Sequence, residues 1–321
     1  MSSKSGADGH GVVAAARKSG LLAPGGAVLV MVSGGPDSVC LLDVAVRLCG
    51  ARNIKALHID HGLRPGEHDT EVCESVCRDL GVELIVESLD PTTARGNMQG
   101  WARESRYEAA SRVAESFGAV IAVGHTASDQ AETVLYRLAA APGRRALLGM
   151  RPRSGQVIRP LLSVERSATL AYCEARGLTA AIDPTNDSKA YARNRIRGGL
   201  VRALKEIHPA AEANVVATAE ILRDEADVLD RLVDGIIDGT APMRSIPLER
   251  LRRQPPALRR LAVQRLADEA VGRLAPGAAR RADEVAGLAE HGRAMLDLPG
   301  GVRAIADRGV LRFAQRSSTD G

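Results

Sequence analysis

The sequence predicts an α/β protein whose parallel, twisted sheet carries helices on both faces, followed by a smaller, mainly helical domain. Two observations lead to this prediction. Up to about residue 206, four short apolar runs alternate with amphipathic segments of helical length. Beyond that point the strand pattern fades and helical patterns punctuated by prolines replace it. Strands spaced by such helices are typical of βαβ units, and therefore of a parallel sheet.

The predicted elements of the first region follow a regular order. Its strands are AVLVMV at 27–32, IKALHID at 54–60, VELIVESL at 82–89 and GAVIAVG at 118–124. Its helices are expected at 36–49, 66–80, 98–117 and 128–140. In a parallel sheet the ligand crevice lies beyond the carboxyl ends of the strands. The loops at 33–38, 60–66 and 124–129 should therefore share one rim.

The second region is predicted to be helical at 211–236, 255–270 and 277–290. Near its end, residues 295–314 alternate in polarity around PGG and RGV turns, which predicts a small β-hairpin. We therefore expect an N-terminal extension (1–26), a sheet domain (27–207) and a mainly helical domain (208–321).

Length and composition limit the class of protein. A chain of 321 residues, 45% of them hydrophobic, can build two cores. The apolar run 27–32 is far too short to span a membrane, and the first ten residues lack a secretory pattern. We expect a cytoplasmic protein with no membrane partner. The five cysteines are scattered and form no CxxC, so a disulfide framework is not expected, and Cys73 and Cys77 read as a buried helix pair.

The charge is distributed unevenly. The net charge is +4, but residues 241–321 contain 15 arginines against nine acidic residues. A basic terminal region favours a polyanionic partner such as a nucleic acid. The alternative is a general bias in composition, since the chain has 38 arginines and only five lysines.

The stretch SGGPDS, residues 33–38, follows the first predicted strand directly. A strand, a glycine turn and a helix start bring backbone N–H groups and the helix dipole to one point, where an anion can bind. Two glycines let the backbone approach a phosphate closely, and Ser38 can add a hydroxyl donor. Asp37 suits such a site if Mg²⁺ bridges its carboxylate to phosphate oxygens. The alternative is a plain turn with a capping aspartate.

Charged residues cluster at two further places. Asp129 and Glu132 lie three apart at a predicted helix start, so their carboxylates share one face. Two carboxylates suit a ligand with ammonium groups, although acids in a first helical turn are common. The run RNRIR ends at Arg197, and guanidinium groups bind phosphates well, but such a cluster is also typical of a solvated or RNA-facing surface.

Several segments resemble one known family. SGGPDS resembles the SGGxDS loop of the ATP pyrophosphatase (PP-loop) superfamily. The segments VGHTASDQAETVLYRL, HIDHGLR, ARESRYEAA and DPTNDSKAYARNRIR, at 123–138, 58–64, 102–110 and 183–197, are similar to motifs of tRNA(Ile)-lysidine synthetases. The matches run from about residue 27 to 207.

The resemblance implies a reaction. Such enzymes use ATP and Mg²⁺ to adenylate the C2 oxygen of the wobble cytidine in a CAU-anticodon tRNA(Ile), releasing pyrophosphate. The amine of free L-lysine then displaces AMP and forms lysidine, so the codon read changes from AUG to AUA. The sequence does not decide the oligomeric state, and a homodimer is one option.

The resemblance also implies roles for single residues. It implies that Asp37, Asp129 and Arg197 are catalytic and that Asp37 binds Mg²⁺. The nucleotide is bound by Ser33, Gly34, Gly35, Pro36, Asp37, Ser38, His61, Arg103 and Arg106. Lysine and the adenylate are bound by His125, Asp129 and Glu132, and tRNA by Arg193 and Arg195. Taken singly, the rim histidines His61 and His125 could equally be capping donors.

One departure and two alternatives accompany this interpretation. Where the family usually has R-G-[ST]-G, this chain has Ala140, Ala141 and Pro142, which puts that loop's substrate contacts in question. One alternative is a PP-loop tRNA thiolase, which would need catalytic cysteines or an iron–sulfur site. The other is a non-catalytic module that binds nucleotide or RNA.

Overall fold

A computed structural model describes residues 5–60, 67–90, 92, 98–140, 143–181, 192–239 and 244–316. The chain divides into two compact units, Met1–Glu220 and Ile221–Gly321. This division lies further along the chain than the expected boundary at 207/208. Within the described ranges, no helix is long and apolar enough to cross a membrane.

The first unit alternates strands and helices. Its strands are β1 Val28–Val32, β2 Ile54–Asp60, β3 Glu83–Ser88, β4 Val120–Ala122, β5 Arg153–Ser154 and β6 Val157–Ile158. Its first helices are α1 Ser5–Lys18, α2 Pro36–Cys49, α3 Glu67–Leu80, α4 Met98–Phe117, α5 Ala127–Ala140, α6 Arg144–Leu147 and α7 Arg166–Arg176. Later come α8 Ala192–Arg195, a π-helical turn Ile196–Val201, α9 Arg202–Ile207 and α10 Ala211–Asp234, which continues into the second unit.

The six strands of the first unit form one sheet in the order β3-β2-β1-β4-β6-β5. All neighbouring pairs are parallel except β5 and β6. The chain builds β2 and β3 on one side of β1 and then crosses to place β4 on the other side. The loops after β1 and β4 therefore diverge at a topological switch point, where open α/β sheets bind their ligands.

Alternation along β1 explains how both sheet faces are covered. Val28, Val30 and Val32 pack into a core shared with α1, α2, α3 and α7. Leu29 points the other way, into a core with Ala110 and other small residues of α4. A strand buried on both faces is apolar throughout, as the AVLVMV run is.

The predicted α/β class is confirmed, and so is the order of its main elements. Helices 36–49 and 98–117 have the predicted bounds, and the others differ at their ends by one residue. The predicted N-terminal extension contains α1, whose Val12 and Ala16 are buried in the core. The sequence predicted neither the short strands β5 and β6 nor the helices α1, α6, α7, α8 and α9 and the π-helical turn of this unit.

The second unit combines helices with a small sheet. Its elements are β7 Ser245–Pro247, α11 Leu248–Arg252, α12 Pro256–Val271, α13 Ala282–Ala286, β8 Arg293–Leu298, β9 Val302–Asp307 and β10 Val310–Gln315. The strands form an antiparallel sheet in the order β7-β10-β9-β8. The predicted hairpin is therefore part of a larger sheet. The single helix predicted at 277–290 is shorter and begins with a 3-10 turn, Ala278–Arg281.

Candidate active site

The turn between β1 and α2 uses its two glycines differently. Gly34 has φ +77°, and a Cβ there would lie 3.3 Å from the carbonyl oxygen of Asp69. Its conformation therefore requires glycine. Gly35 caps α2 with ordinary angles, φ −70° and ψ 157°, and its nearest neighbour to a Cβ would be Ser33 Oγ at 3.7 Å. Among the described residues, no contact explains the second glycine.

Side chains of the turn hold its shape. The hydroxyl of Ser38 donates to the carbonyl of Gly35 at 2.8 Å and accepts from the backbone N–H of Ser33 at 3.1 Å. Pro36 occupies the first turn of α2, where no N–H is needed for the helix. The loop is thus closed by its own serines, with the helix N-terminus open toward the rim.

Three helices begin at this rim and each contributes a charged residue from its first turn. Asp37 lies in α2, Asp129 in α5 and Arg166 in α7. Gly124 lets α2 approach the loop after β4, because a Cβ there would lie 2.9 Å from the carbonyl oxygen of Asp37. Carboxylates are stabilised at helix N-termini, whereas an arginine there opposes the helix dipole.

Arg166 offsets this unfavourable position by binding three carboxylates. Its Nε donates to Asp37 Oδ2 at 3.1 Å, its Nη2 to Asp129 Oδ1 at 2.7 Å, and its Nη1 to Glu132 Oε1 at 3.3 Å. Thr169, one turn further along α7, donates its hydroxyl to the other oxygen of Asp37. The second oxygen of Asp129 accepts from the backbone N–H and the hydroxyl of Thr126, each at 2.9 Å.

The two aspartates differ in acidity because their surroundings differ. Burial raises the pKa of Asp37 above its ordinary value, and Thr169 and Arg166 offset only part of this effect. Burial also acts on Asp129, but the charge of Arg166, the Thr126 hydrogen bonds and nearby His125 outweigh it and lower its pKa. The carboxylates in turn raise the pKa of Arg166 against the effect of burial.

Glu132 is the most deeply buried acid of the cluster, with a side chain 2% exposed. Its Oε1 accepts from Arg166 and also from Arg197 Nε at 2.7 Å. Its Oε2 is buried and has no hydrogen-bond partner among the described residues. A buried carboxylate oxygen without a donor is costly, so this atom is suited to a donor supplied by a ligand.

A cavity of about 260 Å³ lies at the switch point, beside the glycine turn but not lined by Gly34, Gly35 or Pro36. Its polar wall comes from Ser33, Asp37, Ser38, Arg106, His125 and Asp129. Its apolar wall comes from Met31, Leu57, Ile59 and Val123, at or near the ends of β1, β2 and β4. Such a combination of apolar wall and anion-binding turn fits a base joined to phosphates.

A second cavity, of about 530 Å³, is lined by the other members of the charge cluster. Glu132, Arg166 and Arg197 form part of its wall, and Lys205 and Glu212 form another part. Burial acts to raise the pKa of Glu212, but hydrogen bonds from Lys205 and Ser128, together with the charges of Lys205 and Arg166, outweigh it and lower the pKa. The acid–arginine cluster thus contributes residues to both cavities.

The predicted site residues are only partly brought together. Ser33, Asp37, Ser38, Arg106, His125 and Asp129 line the first cavity, and Glu132 and Arg197 line the second. Arg103 is exposed, over the ring of Tyr107 at 5.3 Å, and lines neither cavity. Arg195 is also exposed and outside both. His61, Ala141, Pro142 and the side chain of Arg193 lie outside the described residues, and Ala140 ends α5.

Arg166 and Thr169 were missed from the sequence. Both become visible only once α7 is recognised, because their partner Asp37 lies more than a hundred residues away. The sequence did contain a signal. The RSATLAYCEAR segment starts with a cation and has no acid in its first turn, a charge order that α-helices disfavour and that calls for an anionic partner.

The structure tests how a divalent cation would fit. Across the described ranges, no group of three or more His, Cys, Asp or Glu residues could hold a metal ion. Mg²⁺ binds through one or two carboxylates when substrate phosphates and water supply the remaining oxygens. Asp37, partly exposed in the cavity beside the turn, fits that role.

The five cysteines are all free and buried. Cys73 and Cys77 lie on one face of α3, as predicted. Burial raises the pKa of Cys73 to about 12 and that of Cys77 to about 11, so their thiols stay protonated.

The glycine turn on the first strand and the cavity at the switch point define a nucleotide-binding domain of the PP-loop class. The model of that family, described as a PP-loop domain, matches residues 14–204. A U34-tRNA thiolase of Methanococcus maripaludis shares the fold, with a TM-score of 0.57 at 18% identity over 68% of this chain and 80% of that one.

Comparison with individual bacterial proteins identifies one family within the PP-loop class. A tRNA(Ile)-lysidine synthase of Symbiobacterium thermophilum is 38% identical over 93% of this chain and 67% of its own length. Proteins of the same name are 33% identical in Dehalococcoides mccartyi, over 84% of this chain and 62% of that protein, and in Leifsonia xyli, over 91% of each. The chain belongs to the tRNA(Ile)-lysidine synthase family.

Proposed function

We propose that this protein ligates free lysine to C2 of the wobble cytidine of CAU-anticodon tRNA(Ile). ATP first adenylates the C2 oxygen, with release of pyrophosphate, and the lysine amine then displaces AMP. The observation that carries this proposal is the charge cluster between the two cavities. One carboxylate of the cluster faces a phosphate-binding turn, while two others are arranged to receive a cation.

The first cavity supports ATP binding. The base would contact the apolar wall of Met31, Leu57 and Ile59. The phosphates would extend past Ser33 and Ser38 toward the neighbouring Gly34 and Gly35, which do not themselves line the cavity. The unexplained lack of a side chain at Gly35 supports close approach of a phosphate there. Asp37 would hold Mg²⁺, which when bound supplies countercharge to the phosphate oxygens.

The amine would bind at Asp129 and Glu132. The buried Oε2 of Glu132 can accept one of its N–H groups, and the ionised Asp129 can accept another. An ammonium cannot attack until it loses a proton. Arg197, which neutralises part of the charge of Glu132, favours this loss, because it weakens the field that would otherwise hold the ammonium charged.

Arg197 would stabilise the α-phosphate during adenylation. In the structure its Nε is held by Glu132, which leaves its terminal nitrogens for other partners. A fixed guanidinium is effective where negative charge develops in a transition state. The large second cavity, with Arg197 in its wall, offers an entrance for the wobble nucleotide. A tRNA substrate places the reaction in the cytoplasm.

The experiment incubates the protein with ATP, Mg²⁺, labelled lysine and tRNA(Ile) transcripts that differ only at the wobble base. We expect label only on the cytidine transcript, with one AMP and one pyrophosphate for each lysine. Asp37→Ala, Asp129→Ala and Arg197→Ala should each lower incorporation by about a hundredfold or more. Arg112→Ala, which breaks an ion pair with Glu87 outside both cavities, is the control and should be active.

Two results would reject the proposal. Formation of ADP and orthophosphate would contradict cleavage between the α and β phosphates, and label on transcripts with other wobble bases would contradict the substrate. Sulfur transfer in place of lysine transfer would favour the thiolase alternative. The burial and raised pKa of Cys73 and Cys77 give that alternative no support.

A further inference from the structure

The position of Arg166 is electrostatically unfavourable within α7. Its contacts with residues of other helices must therefore account for it. Arg166 occupies the first turn of α7, where a positive charge is opposed by the helix dipole. It is also largely removed from water, with 27% of its side chain exposed. The three carboxylates around it must compensate both costs.

The guanidinium group of Arg166 contacts Asp37, Asp129 and Glu132 through three different nitrogens, an arrangement that we call the fan. Each of the three guanidinium nitrogens donates to a different carboxylate, so no acid is bound in the usual two-pronged manner. Arg197 adds a second cation to the same group through Glu132. Three carboxylates and two guanidinium groups leave the cluster one positive charge short of neutrality.

The fan also spans the two parts of the site. Asp37 and Asp129 line the cavity beside the glycine turn, and Glu132 and Arg166 line the second cavity. The guanidinium therefore occupies the place between Asp129 and Glu132 to which the substrate amine would be drawn. The guanidinium of Arg166 and the ammonium of the substrate are both cations with several N–H donors, and both would bind to Asp129 and Glu132.

We propose that Arg166 is a resident substitute for the substrate's ammonium group, which keeps the acid pair ionised and in place until lysine displaces it. This inference rests on the proposed function, since it concerns the same amine site. On displacement, Arg166 gives up Asp129 and Glu132 and keeps its bond to Asp37. It is thus a positioning residue that links the phosphate side of the site to the amine side.

The inference predicts the direction in which lysine affinity changes. If Arg166 competes with the amine, Arg166→Gln should tighten lysine binding, because a competing cation has gone and the cluster is more negative. We expect the dissociation constant to fall about fivefold or more. The rate of lysine transfer should fall at the same time, because the acids are no longer held in position. A residue with a merely structural role would weaken lysine binding when replaced.

The measurement is calorimetric titration of the full-length protein with lysine and, separately, with n-butylammonium, a bare alkyl cation. Arg166→Lys accompanies Arg166→Gln, because it keeps one positive charge and should fold even if the glutamine variant does not. It cannot reproduce the fan, so amine binding should be unchanged or tighter. Arg176→Gln is the matched control, since it breaks an arginine–aspartate pair with Asp43 at the other end of α7.

The outcomes separate the inference from the proposed function. Weaker or unchanged butylammonium binding in a folded Arg166→Gln protein, or weaker binding in Arg166→Lys, overturns the inference. Tighter binding in Arg176→Gln would also overturn it, because the effect would not be specific to the cluster. A wild-type protein that binds butylammonium but transfers no lysine would contradict the proposed function and leave the inference supported by its own readout.

Discussion

At the scale of single residues, the glycine turn separates what the fold needs from what a ligand needs. Gly34 is required by its own backbone, because φ +77° is unfavourable for other residues and Asp69 lies close by. Gly35 has an ordinary conformation, and of the described residues only Ser33, with its Oγ at 3.7 Å, would contact a Cβ there. Its missing side chain matters only when something approaches from the rim.

The first prediction uses this difference. Gly35→Ala should leave the protein folded, at a cost of about 1 kcal/mol or less, since alanine is only a poorer helix cap than glycine. Its KM for ATP should nevertheless rise tenfold or more, on the order expected for a methyl group placed against a phosphate. Thermal unfolding and steady-state kinetics of the purified variant measure the two effects.

Gly34→Ala is the matched comparison. It should lower the free energy of unfolding by about 1–2 kcal/mol, because alanine disfavours a left-handed conformation. If Gly35→Ala binds ATP normally, the phosphate does not lie over this turn and the nucleotide pose must be revised.

Residues of the site differed in how far they could be predicted. The SGGPDS turn and the pair Asp129 and Glu132 are contiguous or share one helix, so local spacing already groups them. Arg166 and Thr169 belong to the same site through contacts that span 129 and 132 residues. Such contacts follow from the packing of α7 against α2, which no local pattern encodes.

At the scale of elements, the site depends on helix starts meeting at one edge of the sheet. The N-terminus of α2 approaches the loop after β4 so closely that Gly124 has no room for a side chain. Its Cβ would lie within 2.9–3.1 Å of backbone atoms of Asp37 and Ser38. Backbone atoms cannot move aside as a flexible side chain can.

The second prediction concerns this contact. Gly124→Ala should push α2 away from β4, which we expect to cost about 1–3 kcal/mol of stability by overpacking. The displacement moves Asp37 relative to Asp129, so lysine incorporation should fall more than ATP binding. Gly118→Ala is a suitable control, because its surroundings are open and only its φ of +63° is unfavourable. Equal loss of activity in both variants would contradict a steric role for Gly124.

Long elements were predicted well and short ones poorly. Strands β1 and β2 are apolar runs and α2 has a clear apolar period, and the sequence places all three to within a residue. The bounds of α4 also match, although its apolar residues do not gather on one face. β5 and β6 have two residues each, too few for any period to show. α7 is an exception, because it has 11 residues and an apolar face that packs Tyr172 and Cys173 into the core, yet it was not predicted.

At the scale of the whole chain, much of the basic charge is already used. In the second unit, arginines such as Arg250 and Arg281 pair with Asp238 and Glu284. Within the described part of residues 241–316, six exposed arginines have no ion pair and are therefore candidates for contacts with a polyanion. They are Arg260, Arg273, Arg280, Arg293, Arg308 and Arg312.

The third prediction follows from the difference between the paired and the unpaired arginines of the second unit. The KM for tRNA should rise steeply with salt, because each phosphate contact releases a counterion. Arg293→Ala and Arg312→Ala should each reduce the slope of log KM against log salt by about 0.7–0.9 if they meet a phosphate. Arg250→Ala, which removes a paired arginine, should change the slope little. Equal slopes in all three variants would place the RNA elsewhere.

The long sequence separation between Asp37 and its partners on α7 determines when the active site can form during synthesis on the ribosome. Thr169 follows Asp37 by 132 residues, so at ordinary synthesis rates it emerges roughly 7–26 s later. Until then the nucleotide turn has neither its hydroxyl partner nor its arginine. The nucleotide-binding turn of a nascent chain is therefore synthesised well before the active site can form. The site is complete only after α7, which is synthesised later, has packed against the sheet domain.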